Sequence, residues 1–287
     1  MSATTSPTAR RVTLWRAMRS EWVKAFTLPS TWWVLAVTVL VVVGFGALIQ
    51  YGMSLTVTEL PTTGQQIQPS RTLFSSDAIM AYQFGQLILA AFAVWLAANE
   101  YGTGQVRVTF SAVPARWRVL TSKAILIAVV GFVTTVVASY AALLVSGPIL
   151  ARLDRPGRPA PVDWRTVDNT FTAESAKLVF GLALATTLVC LFALAVGALL
   201  RNTTAGIVVV IAVLFVLPTV LGFIQVGWIS TLNNYMIGSS QTGLFMQFSI
   251  GLGDVPVFGF PRALVVTGLW AGVPLLEAGI LLAGRDA

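Results

Sequence analysis

One stretch of the 287-residue chain gathers side chains that could do chemistry. Glu100, Arg107, Arg116, Arg118 and Lys123 fall close together, interleaved with Val106, Val108, Phe110, Val113 and Trp117. One carboxylate among four cations, on an amphipathic background, suits docking. The cations can make charge-assisted contacts to a partner's acids or to anionic headgroups, with apolar anchors between them. Gly102 and Gly104 permit a sharp change of direction, and Pro114 interrupts a helix. The stretch is longer than a turn between two membrane spans requires. Two readings stand side by side: a docking element for a soluble partner, and a short helix lying on the headgroups.

Other chemistry is missing. The chain has no histidine, which removes His-based zinc sites, Ser-His-Asp triads and His general bases together. Cys190 is the single cysteine, so it forms no intramolecular disulfide, and its lone position argues against a metal cluster. No GxxxxGK[ST] loop occurs, and Gly102-Thr103-Gly104 is too short for a nucleotide fingerprint. No paired carboxylates or Ser/Lys dyad lie near the apolar runs, and the chain reads as a non-enzyme that binds no cofactor itself. Glu277 is the one Asp, Glu, Lys or Arg within those runs. Such a residue marks either an ion or substrate site or a side chain that reaches the interface or pairs with a neighbour, Arg201 being the candidate. Ion-coupled carriers more often show several buried acids or a broken helix pair. Pro218 and Pro274 offer kink sites.

The elements that carry these residues follow from composition. Hydrophobic residues make up 56% of the chain and charged ones 10%, and mean hydropathy is +0.82. A soluble domain carries about 25% charged residues, so this composition is that of an all-α polytopic membrane protein. The net charge of +7 fits loops facing anionic lipid better than nucleic acid. Six apolar runs each approach the length that crosses about 30 Å of hydrocarbon. They are residues 32–51, 82–98, 124–145, 178–200, 205–224 and 263–283. Arg201-Asn202-Thr203-Thr204 makes the fourth and fifth a tight hairpin.

The first domain, 1–31, is an N-terminal tail whose residues 10–26 form an amphipathic helix. Trp15, Met18, Trp22 and Phe26 share a face, Arg16, Ser20 and Lys24 lie off it, and Arg19 snorkels from its edge. Pro29 ends that helix, and Ser30 or Thr31 caps the next. The helix lies in the plane of the inner leaflet or packs on its own protein. The second domain, 32–287, is the six-helix membrane unit. The N-terminus shows no signal-peptide pattern. With the N-terminus inside, inner segments hold 11 Lys and Arg and outer segments seven, so both termini are expected to be cytoplasmic. Residues 225–262 carry only Asp254 and Arg262, too little charge for a wet loop. They read as re-entrant or interfacial helices on the outer face, or as a compact loop packed on the spans.

RSEWVKAFTLPSTWW at Arg19–Trp33, EYGTGQVRVTFSAVPARWRVLTSK at Glu100–Lys123, and the closing Gly284–Ala287 resemble permease subunits of ABC-2-type ATP-binding-cassette exporters, especially the actinobacterial group. The six-span layout extends the likeness over almost the whole chain, and the residues after Trp228 depart from it. The resemblance implies an elbow helix, a coupling helix between spans two and three, and a bacterial cytoplasmic membrane. It also implies a second permease subunit, identical or not, and two copies of a separate ATPase subunit that bind ATP and Mg. A secondary transporter or channel, and a non-transporting membrane scaffold, are the alternatives.

Overall fold

Residues that are apolar on every face, with no polar stripe to offer water, form helices whose surroundings must be lipid or protein. The computed structural model describes residues 13–56, 69–102, 116–151, 173–224, 226–245 and 258–284, and within these the chain is helical with no strand. The order is α1 (Leu14–Thr27), α2 (Pro29–Thr56), α3 (Pro69–Gly102), α4 (Arg116–Ala151), α5 (Ala173–Leu200) and α6 (Thr203–Gly222). There follow α7 (Gly227–Asn234), α8 (Ile237–Ser240, continued by a 3₁₀ turn at Gln241–Leu244) and α9 (Phe260–Gly284). Six of these, α2 to α6 and α9, are long and apolar enough to cross a membrane. The chain is an all-α polytopic membrane protein.

The centre is α5, which packs on α3, α4, α6 and α9. Its Ala183, Ala185, Ala193 and Ala195 are fully buried, alongside Leu182, Val189 and Leu194. Lipid tails offer no hydrophobic drive between helices, so close backbone approach over small residues supplies the packing. By contrast α2, α6 and α9 lie at the edge, mostly exposed on the bundle's surface. Hydroxyls inside the spans turn back on their own helix, for want of water: Thr38 donates to the Val34 carbonyl, Thr135 to Gly131 and Thr186 to Leu182, at 2.7, 2.8 and 3.0 Å.

Several helices exceed the apolar runs that mark them. The run at 82–98 is the later part of α3, which begins at Pro69 and so includes Arg71, expected in a loop. The run at 124–145 lies within α4, which starts at Arg116. The expected long connector between spans two and three therefore shrinks to residues 103–115. Ser30 and Thr31, expected to cap α2, lie inside it instead: Pro29 opens the helix itself, where its missing N–H costs nothing. The α5–α6 link is tighter than expected, two residues long. Arg201 takes a left-handed φ of 54°, and the Asn202 side chain caps α6 by accepting from the Ala205 N–H at 3.1 Å.

At the end of the bundle remote from α1, residues 227–245 fold back onto the spans. Ile237 and Leu244 are fully buried, and Gln241 meets Gln86 of α3 at 2.6 Å. A Cβ on Gly181 of α5 would lie 2.3 Å from the Leu244 carbonyl, so only glycine admits the segment there. This is the short, apolar, non-spanning packing that the low charge of this region implies.

Candidate functional site

Glycine-free, basic and short, α1 presents one narrow stripe to the protein. Ala17 and Ala25 are buried on either side of buried Glu21, and their small size brings the helix close to α4, its main neighbour. The apolar face of Trp15, Met18, Trp22 and Phe26 runs beside this one, with Trp22 and Phe26 packed against the core. Met18, Trp22 and Phe26 are half-buried, whereas Trp15 is exposed, as are Arg16 and Arg19. Trp22 stacks on Phe26 at 5.1 Å, and Phe26 meets the edge of Trp32 at 5.6 Å. The Trp32 indole N–H donates to the Phe26 carbonyl at 3.1 Å, which fixes the corner between α1 and α2.

Glu21 is one of four charged groups that converge at this end. Lys123, two turns into α4, donates to Glu100 Oε1 at 2.9 Å and to the Leu96 carbonyl at 3.2 Å, and lies 2.8 Å from Glu21 Oε2. An ammonium has three N–H groups, and here each has an acceptor. Lys24 bridges the same two carboxylates, 2.9 Å from Glu21 Oε1 and 3.3 Å from Glu100 Oε1. Two acids and two cations make the cluster neutral. Glu21, Glu100 and Lys123 are buried, while the Lys24 side chain is 49% exposed.

The electrostatics follow from that arrangement. Burial by itself would raise the Glu21 carboxyl, but Lys123 and then Lys24 outweigh it and hold the group below the usual carboxylate range. Burial would lower the Lys24 ammonium, and Glu21 with Glu100 pushes it above its ordinary value. Glu21 therefore contributes stability that is fully present above about pH 4.5 and lost as the pH falls through its depressed value. Lys24 contributes stability present below about pH 10.5 and lost as the pH rises through its elevated value.

The cluster pins α1 to the last turn of α3 and the second turn of α4, the two helices that flank residues 103–115. Glu100 and Lys123, both singled out in the sequence, meet directly. Gly102 closes α3, Arg116 opens α4, and the Arg118 guanidinium lies 5.5 Å from the Trp117 ring centre. Gly104, Arg107, Phe110, Val113 and Pro114 lie outside the described residues. Sequence reasoning missed Glu21. Its signal was available: one acid in a basic helix, three residues before Lys24 and flanked four residues either side by alanine.

Glu277 is not brought to this site. It lies exposed on the surface of α9, and the expected pairing with Arg201 is absent. Arg201 instead sits 5.1 Å over the Tyr101 ring, held there by the tight α5–α6 link. Among the described residues no group of three metal-ligating side chains comes together. Set against known family models and curated proteins, the chain matches none.

Proposed function

We propose that the chain is the permease subunit of an ATP-driven exporter of the ABC-2 type in a bacterial cytoplasmic membrane, with both termini cytoplasmic. In this reading it pairs with a second permease subunit and receives two copies of a separate ATPase subunit, which bind ATP and Mg. The observation that carries the reading is the buried cluster of Glu21, Lys24, Glu100 and Lys123. A push on residues 103–115 would reach α3 and α4 directly and α1 through these ion pairs. A connector that only lay on headgroups would have no need of so costly a joint. The orientation rests on the Lys and Arg distribution, and the family on the sequence resemblance.

In this mechanism the ATPase dimer closes on ATP, and Val108, Phe110 and Val113 seat in a groove on its surface. Arg107, Arg116 and Arg118 add contacts to acids or anionic lipid. Burying one Phe is worth about 1.5–3 kcal/mol, so its loss weakens docking about ten- to a hundredfold. The test is co-purification of a candidate ATPase with the Phe110→Asp variant, together with transport in reconstituted vesicles. The expected result is a released ATPase, or hydrolysis uncoupled from transport, with the spans still inserted. Full pull-down and normal transport by this variant would reduce the stretch to a headgroup-lying connector. Transport that follows a proton gradient without ATP would replace the exporter with a secondary transporter.

A further inference from the structure

The end of the bundle remote from α1 holds an open cavity of about 330 Å³, bordered by α3, α6 and the returning α7–α8 segment. Its polar wall includes Gln83, Asn234, Ser239 and Thr242, and its apolar wall Phe215 and Pro218. Among the described residues that line it, none is charged. Among the described residues the side-chain amides of Gln83 and Asn234, both half-buried, have no hydrogen-bond partner. Arg262 is not part of the lining, and its guanidinium is engaged with the Tyr235 hydroxyl and the Phe258 ring.

The wall is also irregular in its backbone. Residues 212–216 of α6 form a π-helical turn, and Pro218 brings no N–H to the ladder. The Thr219 hydroxyl turns back on its own helix and donates to the Phe215 carbonyl at 2.6 Å. Gly238 closes against the Leu214 carbonyl, where a Cβ would sit 2.3 Å away. Beside the cavity, Val216, Val220 and Phe223 follow one exposed apolar strip of α6, and Phe223 is 82% exposed.

We propose that this cavity binds an amphiphile with an uncharged, hydrogen-bonding headgroup, such as a sugar or an amide. The headgroup meets the free amides and donates to the hydroxyl oxygens of Ser239 and Thr242, whose own protons go to Asn233 and to the Ser239 carbonyl, and the apolar chain lies along Val216, Val220 and Phe223. Among the described lining residues an anionic headgroup would find no cation and a cationic one no carboxylate, and either would lose hydration without repayment. The volume lies at the lower end of ligand pockets, about 300–1,000 Å³, which suits a headgroup with its chain left outside. The site needs no nucleotide and no ATPase, so it stands or falls apart from the exporter reading.

The test uses the full chain in nanodiscs with three diazirine probes: a galactosyl diacylglycerol, a phosphatidylglycerol, and a soluble galactoside without acyl chains. The galactolipid should label peptides covering residues 213–219 and 234–242 saturably. The other two probes should label them about tenfold less. Losing two hydrogen-bonding groups in Gln83→Leu/Ser239→Ala should cut galactolipid labelling about tenfold at unchanged melting temperature, with Gln83→Asn retaining most of it. Equal labelling by the anionic lipid overturns the neutral-headgroup assignment, and equal labelling by the soluble galactoside overturns the amphiphile. Undiminished labelling of the folded double variant overturns the site. The comparison of probes on the unmodified chain decides the matter even where a variant fails to fold.

Discussion

Lys123 and Lys24 share the same two carboxylates, yet they should not respond alike to mutation. Lys123 is buried with every donor used, so Lys123→Met leaves Glu21 and Glu100 with one half-exposed cation between them. Breaking a buried pair from one side costs about 3–5 kcal/mol, whereas Lys24→Met, at a wet position, should cost about 1 kcal/mol or less. Thermal unfolding in detergent should therefore rank the two variants far apart. Adding Glu21→Gln to Lys123→Met should recover part of the loss, since one stranded charge is removed. The attachment of α1 should be insensitive to pH between about 5 and 10, by the opposed shifts of Glu21 and Lys24, and weaken on stronger acidification. Proteolysis near residue 28 across a pH series would read this. Glu277→Gln should leave transport intact, because that carboxylate stands alone on the surface of α9. Glu100 and Lys123 were legible because they bracket one charged stretch. Glu21 was not, because its partners lie up to 102 residues away, and hydropathy periodicity carries no trace of a pairing across helices.

At the scale of elements, the six spans were legible because uninterrupted apolar runs have no other stable home. Their true lengths were not. Pro69–Met80 and Arg116–Lys123 are polar or mixed, and only their attachment to a long helix makes them helical. The shared face of Trp15, Met18, Trp22 and Phe26 was legible from its spacing, whereas the alanine stripe that lies against α4 beside it was not, because small residues leave no mark on hydropathy periodicity. The returning α7–α8 segment depends on two backbone contacts that side chains would block. Gly181→Val and Gly238→Val each place a Cβ about 2.3 Å from a carbonyl oxygen. Each should loosen residues 227–245, seen as faster proteolytic cleavage there, with α1 to α5 unaffected. Arg118→Ala, beside the exposed Trp117, should weaken ATPase docking less than Phe110→Asp and in a salt-dependent way.

For the whole molecule the decisive measurement is sidedness. Cys190 is buried in α5, and a Cys190→Ala background removes it altogether. In that background, cysteines at Arg71 and Asp163 should react with an impermeant thiol reagent from outside, and cysteines at Ser20 and Ala115 should not. Labelling at 115 with protection at 163 would invert the molecule. Composition made the membrane class plain, and the hairpin of α5 and α6 was visible in its short polar link. The central place of α5 was hidden. Its run is no more apolar than that of α6, yet one is enclosed and the other lines the surface. Hydropathy measures what a helix avoids, and in a bilayer both lipid and protein satisfy it equally.

The lengths of α3 and α4 have a mechanical meaning. With 34 and 36 residues they run about 50 Å each, well beyond about 30 Å of hydrocarbon. Both are tied by Glu100 and Lys123 near one end. A rod of about 50 Å that tilts by about 5° around such a pivot carries its free end about 4 Å. That is about three-quarters of the rise of one helical turn, gained from a movement at the anchored end no larger than a side chain's slack. If the two helices tilt together, the ion pair at one end would act as their shared pivot, and the displacement would be felt at the other.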